Sequence, residues 1–209
     1  HIRASVPKSE KNNLDGKSVY ENGLDGTVLS IIEDKGGEVN QKETQEELES
    51  ESDLHIYSTG NVPDFSKLTE LSRSEWDKLV DKFINAPAAF VQNAINKIIP
   101  GGSDDPRKFK DAKGRIIIIG PALPAGKKIS GHERAKVEVF RGALRPFATT
   151  VNQELSDVLK SNVRVFLILP GTVDGKEPNG ENIVNTINYL VSDEAGSSSE
   201  VIFCPDETR

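Results

Sequence analysis

The residues with the clearest chemical potential are two glycines that follow the first predicted strand. Gly23 and Gly26 lie in the stretch Asn22-Gly23-Leu24-Asp25-Gly26-Thr27, where a strand gives way to a helix. Glycines in such a turn let backbone amides approach a phosphate, and the helix N-terminus attracts its negative charge. Asp25 would place a carboxylate beside that phosphate, which is repulsive. We therefore favour a structural turn here and keep Gly23 and Gly26 as candidates for a cofactor loop.

A second candidate is a concentration of positive charge over residues 127–145. The whole chain is acidic, with 26 Lys and Arg against 33 Asp and Glu and a net charge of −7. A basic segment on this background is able to dock the diphosphate of a nucleotide or of coenzyme A, or an acidic partner. A solvated helix face explains the same residues, and we favour it, with Arg141 kept as a candidate ligand contact. The cationic residues are Lys127, Lys128, His132, Arg134, Lys136, Arg141 and Arg145.

The remaining reactive residue types form no recognisable motif. Cys204 is the single cysteine, which excludes an internal disulfide framework and a multi-cysteine metal site. His132-Glu133 is not followed by a second histidine four residues on, as a helical zinc motif requires. His55 lies in an apolar run and is interpreted as a core histidine, and the acidic run 41–53 as a solvated helix or loop. We therefore predict no metal site.

Composition narrows the class of protein further. A chain of 209 residues with 35% hydrophobic residues predicts one domain with a buried core. The acidic balance argues against binding to nucleic acid or to a membrane surface, and no apolar run approaches the roughly 18 residues of a membrane span. Cysteine usage favours a cytoplasmic location. We expect residues 1–13 to be a tail, a linker or a tag remnant, and 14–209 to form a single domain.

Strand and helix patterns alternate along the chain. Residues 115–119 form an unbroken run with four isoleucines, which is typical of a central strand buried on both faces of a parallel sheet. Ser72 or Ser74 is expected to cap the predicted helix 74–99, and Pro87 is expected to bend that helix. The predicted class is α/β, with a mostly parallel, Rossmann-like sheet and helices on both faces. Predicted strands are 17–20, 38–39, 54–58, 115–119, 163–169 and 201–204, and predicted helices are 27–35, 74–99, 132–160 and 182–191.

The order of these features resembles that of the short-chain dehydrogenase/reductases, which include the 3-oxoacyl-ACP reductases. Leu54-His55-Ile56-Tyr57-Ser58-Thr59-Gly60-Asn61 resembles the family's D-I-L-V-N-N-A-G strand, in which Gly60 alone is preserved. Lys113-Gly114-Arg115 with its isoleucines resembles G-R-I-V-x-I-S-S, and residues 163–171 resemble I-x-V-N-x-V-x-P-G. The similarity covers about 54–206 well and 14–40 loosely. Residues 40–53 are too few for the family's third strand and its helix. The first half of the chain therefore resembles a shortened first half of the family's Rossmann unit.

The resemblance implies an NAD(P)-dependent reductase, yet the expected catalytic residues are replaced. The family uses Asn, Ser, Tyr and Lys, and the matching positions here hold Phe83, Pro121, Val137 and Arg141. Valine has no proton to give and proline has no hydroxyl, while a guanidinium does not deprotonate. We therefore predict no catalytic residues and no hydride transfer by the usual mechanism. We expect no cofactor, with NAD(P) at Gly23, Gly26, Gly60 and Arg141 as the alternative.

Three functions stay open from the sequence. The first is a catalytically inert assembly module, similar to the N-terminal halves of high-molecular-weight 3-oxoacyl reductases. It would join a second copy or a catalytic domain of the same family through helices 74–99 and 132–160. The second is an NAD(P)H-dependent reductase with an atypical site. The third is a module that binds a nucleotide or an acyl-CoA through Arg141, Lys127 and Lys128 without reacting it.

Overall fold

Seven parallel strands form one sheet in the computed structural model. It describes residues 2–3, 11–40, 54–65, 67–99, 112–123, 130–171, 179–192, 195 and 201–204, with the backbone alone at 2–3 and 201–204. The strands are β1 (Ile2–Arg3), β2 (Ser18–Asn22), β3 (Glu38–Asn40), β4 (Leu54–Ser58), β5 (Arg115–Ile119), β6 (Arg164–Pro170) and β7 (Val201–Cys204). Their order across the sheet is β1-β7-β6-β5-β4-β2-β3, and every neighbouring pair is parallel.

The helices begin at polar caps that the sequence supplies. They are α1 (Gly26–Asp34), α2 (Arg73–Val80), α3 (Ala86–Ile98), α4 (Gly131–Gln153) and α5 (Gly180–Val191), with a short 3-10 turn at Leu68–Glu70. Ser72 and Ser130 each close a capping box, with Glu75 and Glu133 as the reciprocal partners. The helix cap predicted at Ser72 or Ser74 is therefore Ser72.

The two faces of the sheet are both covered, because successive residues of a buried strand point to opposite sides. In β5, Ile117 and Ile119 pack into the cluster that includes residues of α1 and α5. Ile116 and Ile118 pack into the cluster that includes residues of α3 and α4. The predicted α/β class, parallel sheet and placement of helices on both faces are confirmed.

The two long predicted helices are each interrupted by a π turn. In the first, residues 81–85 form the turn, and the Ala86 N–H donates to the Asp81 carbonyl five residues back. Pro87 has no N–H to offer the Phe83 carbonyl, so the regular helical ladder fails at this point. In the second, residues 154–158 form the turn, and Lys160 with φ 53° ends the segment.

Two expectations about the first half stay predictions. The acidic run 41–53, expected to be a solvated helix or loop and too short for the family's third strand, lies outside the described residues. At the N-terminus, β1 pairs with β7, and the Asn13 N–H donates to the Asn188 side chain at 2.7 Å. Leu14, the first residue of the predicted domain, is fully buried. Residues 4–10 also lie outside the described part, so the boundary between tail and domain is still a prediction.

Candidate functional site

The carboxyl ends of β2, β4, β5 and β6 meet at one edge of the sheet, which is where open α/β sheets bind ligands. The candidate glycines, Pro121 and Arg141 lie at this edge, whereas His55 lies near the amino end of β4. Gly23 and Gly60 follow β2 and β4, Pro121 follows β5, and Arg141 reaches the edge from α4. Lys127 and Lys128 lie outside the described residues.

Gly23 is required by the backbone, independently of any ligand. Its φ is 85°, and a Cβ at this position would lie 2.5 Å from the Ser58 carbonyl oxygen. The turns after β2 and β4 thus approach each other more closely than any side chain allows. Gly60, with φ 67°, also adopts the left-handed conformation. Both glycines therefore have a structural explanation, and their assignment to a cofactor stays a prediction.

The N-terminus of α1 is already occupied by a carboxylate of the chain. Asp25 Oδ1 accepts hydrogen bonds from the backbone N–H groups of Thr27 at 2.8 Å and Val28 at 3.0 Å. These are amides that a phosphate would need at this helix end. A dianionic diphosphate would compete with Asp25 for its donors and be repelled by its charge. The residues present here do not fit the diphosphate of a dinucleotide.

Arg141 is the most buried charged side chain at this edge, with 1% of its surface exposed. Its Nη1 donates to the carbonyl oxygen of Pro170 at 2.8 Å and that of Pro121 at 3.4 Å. Its Nη2 donates to the Leu169 carbonyl at 3.5 Å. The guanidinium therefore ties the end of β6 to the loop after β5. A buried cation needs such partners, because its lost hydration is costly.

The other positions of the expected catalytic set are apolar and packed. Phe83 is fully buried, and its ring lies 4.9 Å from that of Phe140. Val137 and Pro121 are also buried. None of these three side chains is able to donate or accept a proton.

Glu138 is a functional feature that the sequence analysis missed. Its carboxylate lies between three arginines, 3.4 Å from Arg145, 3.7 Å from Arg141 and 4.0 Å from Arg134. The basic segment is therefore partly neutralised by an acid from the same helix. The spacing of 3, 4 and 7 residues was the available signal, since such residues share a helix face.

The other titratable candidates take structural places. His55 is buried, as predicted, with its ring 5.8 Å from that of Tyr20. Burial raises the pKa of the Tyr57 hydroxyl, and burial followed by the charge of Glu21 raises the pKa of Tyr20, so both stay protonated near neutral pH. His132 lies exposed in the first turn of α4.

The described residues show neither a cluster of metal-binding groups nor a helix suited to cross a membrane. They contain no group of three or more His, Cys, Asp or Glu placed to hold a metal ion. Among them, no helix combines the length and apolar character needed to cross a membrane.

The fold itself has many relatives among solved structures. A short-chain dehydrogenase of Leptospira borgpetersenii with bound NAD+ superimposes with a TM-score of 0.65 over 99% of this chain and 98% of that one, at 12% identity. The chain has the fold of the short-chain dehydrogenase/reductases. An NADH-dependent reductase, A1-R', in complex with NAD gives a TM-score of 0.69 at 14% identity over 93% of this chain and 97% of the other. The enoyl-[acyl-carrier-protein] reductase of Aquifex aeolicus gives 0.64 at 15% identity, over 93% and 97%.

Sequence comparison gives a more limited picture of this short-chain dehydrogenase/reductase fold. An uncharacterized oxidoreductase of Staphylococcus aureus is 29% identical over 123 residues, which are 58% of this chain and 46% of that protein. The chain thus matches about half the length of this curated relative. No protein-family model matches the chain. The predicted resemblance is confirmed at the level of the fold, while the finer resemblance to an inert N-terminal half stays a prediction.

Proposed function

We propose that this chain is a non-catalytic short-chain dehydrogenase/reductase module that assembles with a catalytic oxidoreductase of the 3-oxoacyl reductase type. The observation that carries the proposal is the state of Arg141. Its guanidinium is buried and donates to backbone carbonyls at the ends of two strands. The side chain thus serves the fold at the position where the family's lysine serves the reaction.

The described residues that the resemblance matches to the family's catalytic set include no group that performs the usual proton chemistry. The position of the family's tyrosine holds Val137, which has no ionisable proton. Arg141 stays protonated at any working pH. The Glu138 carboxylate lies against Arg141 and two further arginines. Hydride transfer to a carbonyl would lack the tyrosine that protonates the alkoxide in the family.

The proposed assembly uses the segments predicted at 74–99 and 132–160. Among the described residues, the large hydrophobic side chains that remain exposed are Val139 and Val158, both within the second segment. We expect the Val139→Glu, Val158→Glu double variant to dissociate in sedimentation velocity, while Gln153→Glu, which adds charge at an exposed position of the same helix, does not. A wild-type chain that sediments as a monomer and captures no reductase domain would contradict this proposal.

The second candidate is an NAD(P)-dependent oxidoreductase with an atypical site, and the comparisons favour it over an inert module. Solved structures of this fold hold NAD+ or NAD, and the curated relative is an oxidoreductase. These similarities do not support the expectation that the chain takes no cofactor. That expectation depends on Asp25 and its hydrogen bonds at the N-terminus of α1.

One assay separates the two candidates. The purified chain is incubated with NADH or NADPH and acetoacetyl-coenzyme A, and the loss of absorbance of the reduced nicotinamide is followed. We expect no turnover above that of a heat-denatured sample, because Val137 and Arg141 stand at the positions matched to the family's tyrosine and lysine. Turnover that is lost on Arg141→Met but not on Arg134→Met would support the oxidoreductase instead.

The third candidate, a module that binds a nucleotide or acyl-CoA through Arg141, gains little from the geometry. The Arg141 donors point to carbonyl oxygens of the chain, and its exposed fraction is 1%. As part of the main proposal, we also propose a cytoplasmic location, which the single cysteine favours.

A further inference from the structure

A short segment after β4 closes over an aromatic cluster beside the sheet edge. We define this strap as residues 61–65. The cluster beneath it contains buried Leu79, Phe83 and Phe140 with the half-buried Trp76, and the Val62 and Phe65 side chains of the strap pack against it. The ring of Phe140 lies 4.9 Å from that of Phe83 and 6.1 Å from that of Trp76. The strap thus covers a compact apolar surface between α2 and α4.

Lys136 holds the strap in place from α4. With 8% of its surface exposed, this residue is far more buried than lysines usually are. Its Nζ donates to the Phe65 carbonyl oxygen, lies 4.9 Å above the Phe65 ring and is 3.6 Å from Asp64 Oδ1. The strap supplies all three of these contacts. Lys136 therefore loses much of its hydration in favour of partners from a loop.

Asp64 and Phe65 of the strap present a carboxylate beside an aromatic ring, which are the groups that a small apolar carboxylate would present. The Asp64 carboxylate pairs with the buried ammonium, while the neighbouring Phe65 ring packs against the aromatic cluster. A small molecule with an aromatic or aliphatic body and a carboxylate would satisfy the same groups. The Asp64 side chain is otherwise fully exposed, so an ion pair of modest strength keeps it there.

We propose that the cluster of Trp76, Phe83 and Phe140, with Lys136 at its rim, is a binding site for an apolar carboxylate and that the strap occupies it as an internal competitor. When the strap leaves, the Lys136 ammonium becomes available to the ligand's carboxylate, and the cluster to its apolar body. No dinucleotide takes part, so the inference stands apart from the function proposed above.

The test releases the strap and follows the single tryptophan of the chain, Trp76. The variants are Asp64→Asn with Phe65→Ala, which removes both mimicking groups, and Asp64→Lys, which repels Lys136 and changes only an exposed residue. Each is titrated with 4-phenylbutanoate, and with 4-phenylbutanol as an uncharged probe of the same shape. Asp64→Lys removes one contact worth about 1 kcal/mol and the double variant removes two, so we expect the carboxylate to bind them roughly 5-fold and roughly 30-fold more tightly than the wild type.

A second substitution identifies the cation in the site. Adding Lys136→Met to the double variant should return the affinity for 4-phenylbutanoate to that for the alcohol. Lys78→Met, which removes an exposed lysine of α2, should leave it unchanged. The proposal is overturned if strap release leaves the Trp76 response at the wild-type level, or if Lys136→Met has no more effect than Lys78→Met. Circular dichroism establishes that each variant is folded before it is titrated.

Discussion

At the scale of single residues, Arg141 is a buried cation that ties the end of β6 to the loop after β5. The sequence indicates its place through the family resemblance, but not its partners. Its acceptors are the carbonyl oxygens of Pro121, Leu169 and Pro170, which come from distant parts of the chain. The spacing of residues along a helix cannot predict these contacts, because they depend on how two strand ends lie under α4.

Replacing Arg141 tests this role directly. Arg141→Met removes the guanidinium donor from three carbonyl oxygens, of which that of Pro170 keeps the Leu123 N–H at 3.2 Å, so we expect the free energy of unfolding to fall by about 1–3 kcal/mol. Arg134→Met is the matched control, because Arg134 has a side chain that is 64% exposed and lies near the same Glu138. It should change stability by about 0.5 kcal/mol or less. Urea unfolding measures both, and equal effects would remove the structural role of Arg141.

The two glycines of the first turn give a second matched pair. Gly23→Ala forces a Cβ to within 2.5 Å of the Ser58 oxygen at a positive φ, whereas a Cβ at Gly26 meets nothing within 4 Å. We expect the first substitution to cost about 1–3 kcal/mol, and the second to be neutral or to stabilise by up to about 1 kcal/mol. Thermal unfolding distinguishes them. A stable Gly23→Ala chain would show that the turn is not fixed by this close approach.

At the scale of elements, the sequence predicted the existence and type of β2 to β7 better than the ends of the helices, but it did not predict β1, a two-residue strand within the expected tail. The isoleucines of β5 show no alternation of apolar and polar residues, so the residue types alone predicted that this strand is buried on both faces of the sheet. The bend at Pro87 was also predictable, because proline lacks a donor. Its form, a π turn over residues 81–85, was not, because a missing donor interrupts the helical ladder without fixing the local geometry.

The capping boxes give the helices a dependence on pH. Hydrogen bonds from Ser72 and Ser130 hold the pKa values of Glu75 and Glu133 below the ordinary 4.5. A carboxyl with a lowered folded-state pKa stabilises the fold above its unfolded pKa, and this contribution disappears as the pH falls through the folded pKa. Both residues are exposed, so the effect is small.

Glutamine at both positions keeps the capping shape and removes the titration. We expect the Glu75→Gln, Glu133→Gln variant to be less stable than the wild type near neutral pH and to match it once the pH falls well below 4.5. Thermal melts from pH 3 to pH 7 measure the gap between the two proteins. A gap that widens towards acid would contradict the assignment.

At the scale of the whole molecule, the fold and the chemistry separate. The parallel sheet and its two helical layers give the chain the fold of the short-chain dehydrogenase/reductases, although identity to the solved structures reported above is only 12–15%. Alternating elements and apolar strands carried that prediction. The strap and the burial of Lys136 could not be predicted, because the sequence does not distinguish a buried lysine from a lysine on an exposed helix face.

The measurement that tests the account most directly is a titration of the wild-type chain with NADH, followed by nicotinamide fluorescence. Asp25 holds the amides that a diphosphate would need, and Arg141 is committed to the strand ends. We expect a linear response without saturation up to millimolar NADH. Saturable binding would contradict the account, and it would make the oxidoreductase the function to pursue.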